Sequence, residues 1–68
     1  MQNLNSHVYT TVNAHAAVHQ TIKGLEVRYQ LYRLGVAQPI FFGSVDKAID
    51  AADLYDKTHA ASLALFSE

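Results

Sequence analysis

Residues 40–57 read Ile40-Phe41-Phe42-Gly43-Ser44-Val45-Asp46-Lys47-Ala48-Ile49-Asp50-Ala51-Ala52-Asp53-Leu54-Tyr55-Asp56-Lys57. A short apolar run stops at a glycine, and a serine opens a stretch that continues to Phe66 without glycine or proline. Ser44 suits a helix N-cap, because its hydroxyl can accept from a free first-turn N–H. Asp46 stands in the first turn, where the helix dipole favours negative charge. On a helical wheel Ala48, Ala51, Ala52, Tyr55, His59, Leu63 and Phe66 gather on one side, with Asp46, Asp50, Asp53 and Lys57 opposite. Small residues early in that stripe let a helix lie close to a sheet, while the larger ones fill the wider end. The stretch predicts a strand that turns directly into one long C-terminal helix.

Upstream, the pattern changes to a period of two. From Leu25 to Leu34, Leu25, Val27, Tyr29 and Leu31 alternate with Glu26, Arg28, Gln30 and Tyr32, which predicts a half-buried strand. Lys23-Gly24 supplies the turn before it, since glycine tolerates the positive φ of a tight hairpin. A strand over Ala17–Lys23 precedes that turn. Gly35 to Pro39 reads as the next connection, with Pro39 leading into a short strand Ile40–Phe42. His7–Asn13, rich in β-branched and aromatic residues, reads as a weak strand, and residues 1–6 as a frayed arm. The expected fold is α+β: a three-stranded antiparallel sheet packed on one C-terminal α-helix, with an extra N-terminal strand or arm. Residues 1–16 form the arm and 17–68 the domain.

Sixty-eight residues make one small domain, which buries only about 60% of its unfolded surface. With no cysteine there is no disulfide framework and no thiolate metal site. Half the residues are hydrophobic and 16% are charged, so apolar surface is expected at an interface, in a homodimer or against another protein. No segment approaches the ~20 apolar residues of a membrane span. The N-terminus lacks a secretory pattern, and a cytoplasmic location is expected. The net charge of −1 is unevenly spread. Residues 1–45 carry Lys23, Arg28 and Arg33 against Glu26. Residues 46–68 carry Lys47 and Lys57 against Asp46, Asp50, Asp53, Asp56 and Glu68. The sheet is therefore mildly basic and the helix acidic.

The order strand, Gly43-Ser44-Val45-Asp46, Ala51-Ala52, then Tyr55-Asp56-Lys57 resembles the second half of the AP2 domain. The hairpin Glu26–Phe42 is similar in length and alternation to that family's second and third strands. The same sheet and helix occurs in the arm-site binding domains of phage and transposon integrases. The resemblance covers about residues 17–66 and rests on Gly43, Asp46, Ala51, Ala52, Tyr55 and Asp56. It implies that the sheet face grips duplex DNA, with His19, Lys23, Arg28, Gln30 and Arg33 as the contacts.

Other chemistry is thinly represented. His15 and His19 are four apart, a spacing that two metal ligands on a helix would share, but no third ligand stands nearby and no metal or other cofactor is expected. His59 on the apolar stripe reads as a core-edge histidine bonded to a backbone carbonyl or to Tyr29 or Tyr32. Asp46, Asp50 and Asp53 read as a solvated helix face. No phosphate loop, nucleophile elbow or catalytic constellation is present, so no catalytic residue and no enzymatic activity are expected. Arg28 and Arg33 interleave with Tyr29 and Tyr32, which suits phosphate pairing and packing on sugar or base. Phe41 points away from the helix if Ile40 and Phe42 point toward it, and with Ile49, Leu54 and Leu65 it is a candidate interface residue. Two functions follow: a small DNA-binding regulator of a phage or mobile element, or a protein-interaction module that binds and inhibits a host protein or dimerises.

Overall fold

The computed structural model describes residues 3–66, with side chains over 5–62. Four strands, β1 (Asn3–Thr10), β2 (Ala16–Lys23), β3 (Glu26–Arg33) and β4 (Val36–Phe42), precede one helix, α1 (Val45–Phe66). The strands pair antiparallel in sequence order, β1-β2-β3-β4. The fold is α+β as expected, but the N-terminal segment is an edge strand hydrogen-bonded to β2 from Asn3↔Lys23 to Thr10↔Ala17. The sheet therefore has four strands.

Two tight turns set the meander. Gly24 and Leu25 link β2 to β3 across the Lys23↔Glu26 pair, with Gly24 at φ +64°. Leu34 and Gly35 link β3 to β4 across Arg33↔Val36, with φ of +52° and +81°. Positive φ at both loop residues is what a type I′ hairpin requires. Residues 36–39, expected as a connection, instead belong to β4. Pro39 is tolerated there because β4 is an edge strand with one unpaired side, and the pairing register slips between Gln30 and Tyr32 opposite it.

A second irregularity lies in β1. His7 pairs with His19, but the next pair is Tyr9↔Val18, so Val8 is an extra residue. Such a bulge turns the following side chain to the other face. His7 consequently shares the face of His19, while Tyr9 joins Val18 beneath the helix.

α1 lies on β2, β3 and β4. Ala16, Val18, Leu31, Ala48 and Ala52 are buried, with Tyr9, Tyr29, Ile40, Phe42, Ile49 and Tyr55 packed around them. Ala48 and Ala52 have no exposed surface, because their small side chains bring the helix backbone against the sheet. Burial of Val18 and Leu31 contributes about 2 kcal/mol each. The Ala48 N–H donates to the Ser44 carbonyl at 3.2 Å, closing the first helical turn. In the predicted stripe, Leu63 and Phe66 lie outside the described side chains.

Candidate nucleic-acid interface

The sheet has one face under α1 and one that no described element covers. Strand alternation and register carry His7 from β1, His19, Thr21 and Lys23 from β2, Arg28, Gln30 and Tyr32 from β3, and Phe41 from β4 onto the open face. Asn5 joins them, its carbonyl oxygen 2.6 Å from His19 Nδ1. The His19 ring stacks on Tyr32 with centroids 4.0 Å apart, and His7 meets it edge-on at 5.5 Å. Burial, and then the neighbouring His7 charge, holds the His19 pKa below its ordinary value.

Toward the β2–β3 turn the open face becomes concave. A hollow of about 350 Å³ is bounded by Asn5, Thr21, Lys23, Arg28, Gln30 and Phe41, with Ile22 and Glu26 completing its wall. Phe41 is 45% exposed, and the Arg28 guanidinium stands 5.9 Å from its ring centroid. Arg28 Nη2 also donates to Glu26 Oε2 at 2.8 Å. The Gln30 amide N–H donates to the Gln38 carbonyl at 2.9 Å, which fixes the side chain along the sheet.

Four of the five residues expected to contact DNA, His19, Lys23, Arg28 and Gln30, thus share this face. Arg33 does not. It lies on the helix side, its guanidinium 4.9 Å from the Tyr55 ring centroid, with Nε buried and without a hydrogen-bond partner. Tyr29 is likewise on the helix side, packed on the core. The period of two that sends Leu31 inward takes Tyr29 and Arg33 with it, so this separation was present in the alternation of β3. Asn5, His7 and Thr21 were missed as members of the face, because the pairing of β1 decides their neighbours.

The proposed interface residues divide similarly. Phe41 is on the open face and Ile49 packs on the core. Leu54 is 67% exposed beside a second hollow of about 320 Å³, lined chiefly by Leu31, Arg33, Ile40, Phe42 and Tyr55. Leu65 lies outside the described side chains.

Beneath the sheet, polar groups tie α1 to the β1–β2 turn. Asp53, expected to face solvent, accepts from the Tyr9 hydroxyl at 2.7 Å. That hydrogen bond raises the Tyr9 pKa, with burial and the charges of Asp53 and Asp56 adding to it. Asp56 is 1% exposed. It follows Ala48 and Ala52 at intervals of four, a row on one helix face. His59 stacks with Tyr55 at 5.6 Å and meets His15 edge-on at 4.5 Å, rather than bonding Tyr29 or Tyr32. His15 and His19 point to opposite sides of the sheet. Among the described residues no three side chains of metal-ligating type are grouped to hold an ion, and no helix is long and apolar enough to cross a membrane. No protein family, curated protein or solved structure matches this chain.

Proposed function

We propose that this chain is a small non-enzymatic DNA-binding module that engages DNA through the open sheet face. The observation that carries the reading is the gathering of His19, Lys23, Arg28 and Gln30 with Phe41 on a surface left uncovered by α1. These side chains combine cations for phosphate, an amide for base edges and an aromatic for stacking. The acidic helix lies on the far side, so a polyanion approaching the open face meets the basic part of the molecule first. The resemblance of Gly43 to Asp56 to the AP2 and integrase arm-site pattern supports the same face. Within that reading the chain is a regulator of a phage or mobile element.

Fluorescence anisotropy with labelled oligonucleotides at low salt tests this. Affinity should fall with added salt at a log–log slope of about −0.7 to −0.9 per phosphate contacted. Absence of binding to any oligonucleotide, single- or double-stranded, at low salt refutes it.

A second reading rests on Leu54. An exposed leucine beside the apolar hollow of Ile40, Phe42 and Tyr55 is a surface suited to a host protein or a second copy of the chain. Light scattering that reports a dimer converted to a folded monomer by Leu54→Glu supports that reading, and an unchanged monomer in both excludes the dimer.

A further inference from the structure

Two features of the open face distinguish between forms of DNA. The first is its charge. Among the described residues it carries two permanent cations, Lys23 and Arg28, and Arg28 is already paired with Glu26 at 2.8 Å. The remaining cations are elsewhere: Arg33 lies against Tyr55 under the sheet, and Lys47 and Lys57 are on α1. Duplex binding is driven chiefly by neutralising phosphates, and one lysine with one arginine that also pairs with Glu26 supplies little of that. The second feature is the hollow. Its volume of about 350 Å³ is at the lower end for sites that enclose a small organic group, about 300–1,000 Å³.

The chemistry of that hollow suits a nucleobase. Phe41, 45% exposed, stands on one wall with the Arg28 guanidinium 5.9 Å from its ring centroid. Gln30 has its N–H on the Gln38 carbonyl, leaving its side-chain oxygen as an acceptor. The Thr21 hydroxyl, donating to the Arg28 carbonyl at 3.4 Å, keeps lone pairs to accept with. Lys23 and Arg28 stand on the same rim, as donors to a phosphate or a base carbonyl. In a duplex, base faces are stacked out of reach and only edges are presented. An unpaired base can lay its face on an aromatic ring.

We infer that the DNA taken by this face is single-stranded, with one unpaired base stacked on Phe41 in the hollow and its flanking phosphates on Lys23 and Arg28. This rests on the DNA-binding reading above and specifies its ligand. Stacking on Phe41 and hydrogen bonding to Gln30 and Thr21 then contribute what the small charge cannot.

The test compares a fluorescein-labelled oligothymidine of about twelve nucleotides, within the range one small domain covers, with a duplex of the same length. Wild type, Phe41→Ala and Phe41→Tyr are measured, with circular dichroism to show that each is folded. The single strand should bind at least about tenfold more tightly than the duplex. Phe41→Ala should weaken single-strand binding about tenfold, and Phe41→Tyr, which keeps the ring, should retain it. Equal or tighter binding of the duplex, or a folded Phe41→Ala with unchanged single-strand affinity, overturns the inference while leaving DNA binding intact. Failure of both oligonucleotides to bind removes the inference together with the reading beneath it.

Discussion

The Thr11 hydroxyl donates to Asp56 Oδ1 at 2.7 Å, joining the residue after β1 to the fourth turn of α1 across 45 residues of chain. The same carboxylate accepts from the His15 N–H at 3.0 Å, the Asn13 N–H at 3.2 Å and the Asn13 side-chain amide at 2.9 Å. The turn wraps around it with Ala14 at φ +60°. A buried carboxylate surrounded by donors is stabilised in its ionised form, and it leaves the turn's N–H groups without need of water. This contact fixes the β1–β2 turn on α1, while β1 itself is held by its pairing with β2.

Thr11→Val should destabilise the fold by about 2 kcal/mol. The change removes a donor to Asp56 and the acceptor of the Ala16 N–H, which lies 3.2 Å from Thr11 Oγ1, leaving buried polar groups unpaired. A lower urea midpoint with an unchanged slope checks it; an unaltered midpoint would show that the contact carries no stability.

Acid should loosen the same junction. Burial alone would raise the Asp56 pKa, but the Thr11 hydroxyl, the His15 and Asn13 N–H groups and the Asn13 amide outweigh it and bring the pKa from an ordinary 3.8 to about 2. A carboxylate with a depressed native pKa contributes stability that is present above its unfolded value and lost as pH falls through the native one. Urea midpoints should therefore drop between about pH 4 and pH 2, and Asp56→Asn should flatten that segment of the profile.

Arg28 and Arg33 should separate in function although both lie on β3. Arg28→Ala should weaken oligonucleotide binding by roughly five- to tenfold, the loss of one charge-assisted contact. Arg33→Ala should leave affinity unchanged and lower thermal stability, because it removes a guanidinium packed 4.9 Å from the Tyr55 ring centroid. Equal losses of affinity in the two variants would place Arg33 on the binding face, contrary to its position under the sheet.

Leu34→Asn should stabilise the protein by about 1 kcal/mol. Leu34 holds φ at +52° in an exposed turn, a region that costs a leucine about 1–2 kcal/mol and suits asparagine before glycine. A raised melting temperature with unchanged oligonucleotide affinity is the expected result.

Period and punctuation carried much of this fold. The alternation of β3 placed Leu31 inward and Arg28, Gln30 and Tyr32 outward; carried two residues past Leu31 it puts Arg33 on the inner face, although Arg33 was expected among the DNA contacts. Gly24 and Gly35 stand in the turns, though β4 begins at Val36, earlier than its proline suggested. Asp56 shares the row of Ala48 and Ala52 on α1, yet a charged residue at that position gives no sign of burial until its donors are known.

Local chemistry by itself determined the helix from Val45, the inner and outer faces of the central strands, and the basic and acidic halves of the chain. These depend on side-chain direction over a few residues, which backbone geometry repeats along each element. Tertiary structure alone decided that Val8 is an extra residue turning Tyr9 toward Asp53, that residues 11–15 close over Asp56, and that Asn5 and Phe41 meet around one hollow. Those outcomes depend on pairing between segments far apart in the chain, where the burial of a carboxylate or the slip of one residue is settled by the partner and not by the sequence around it.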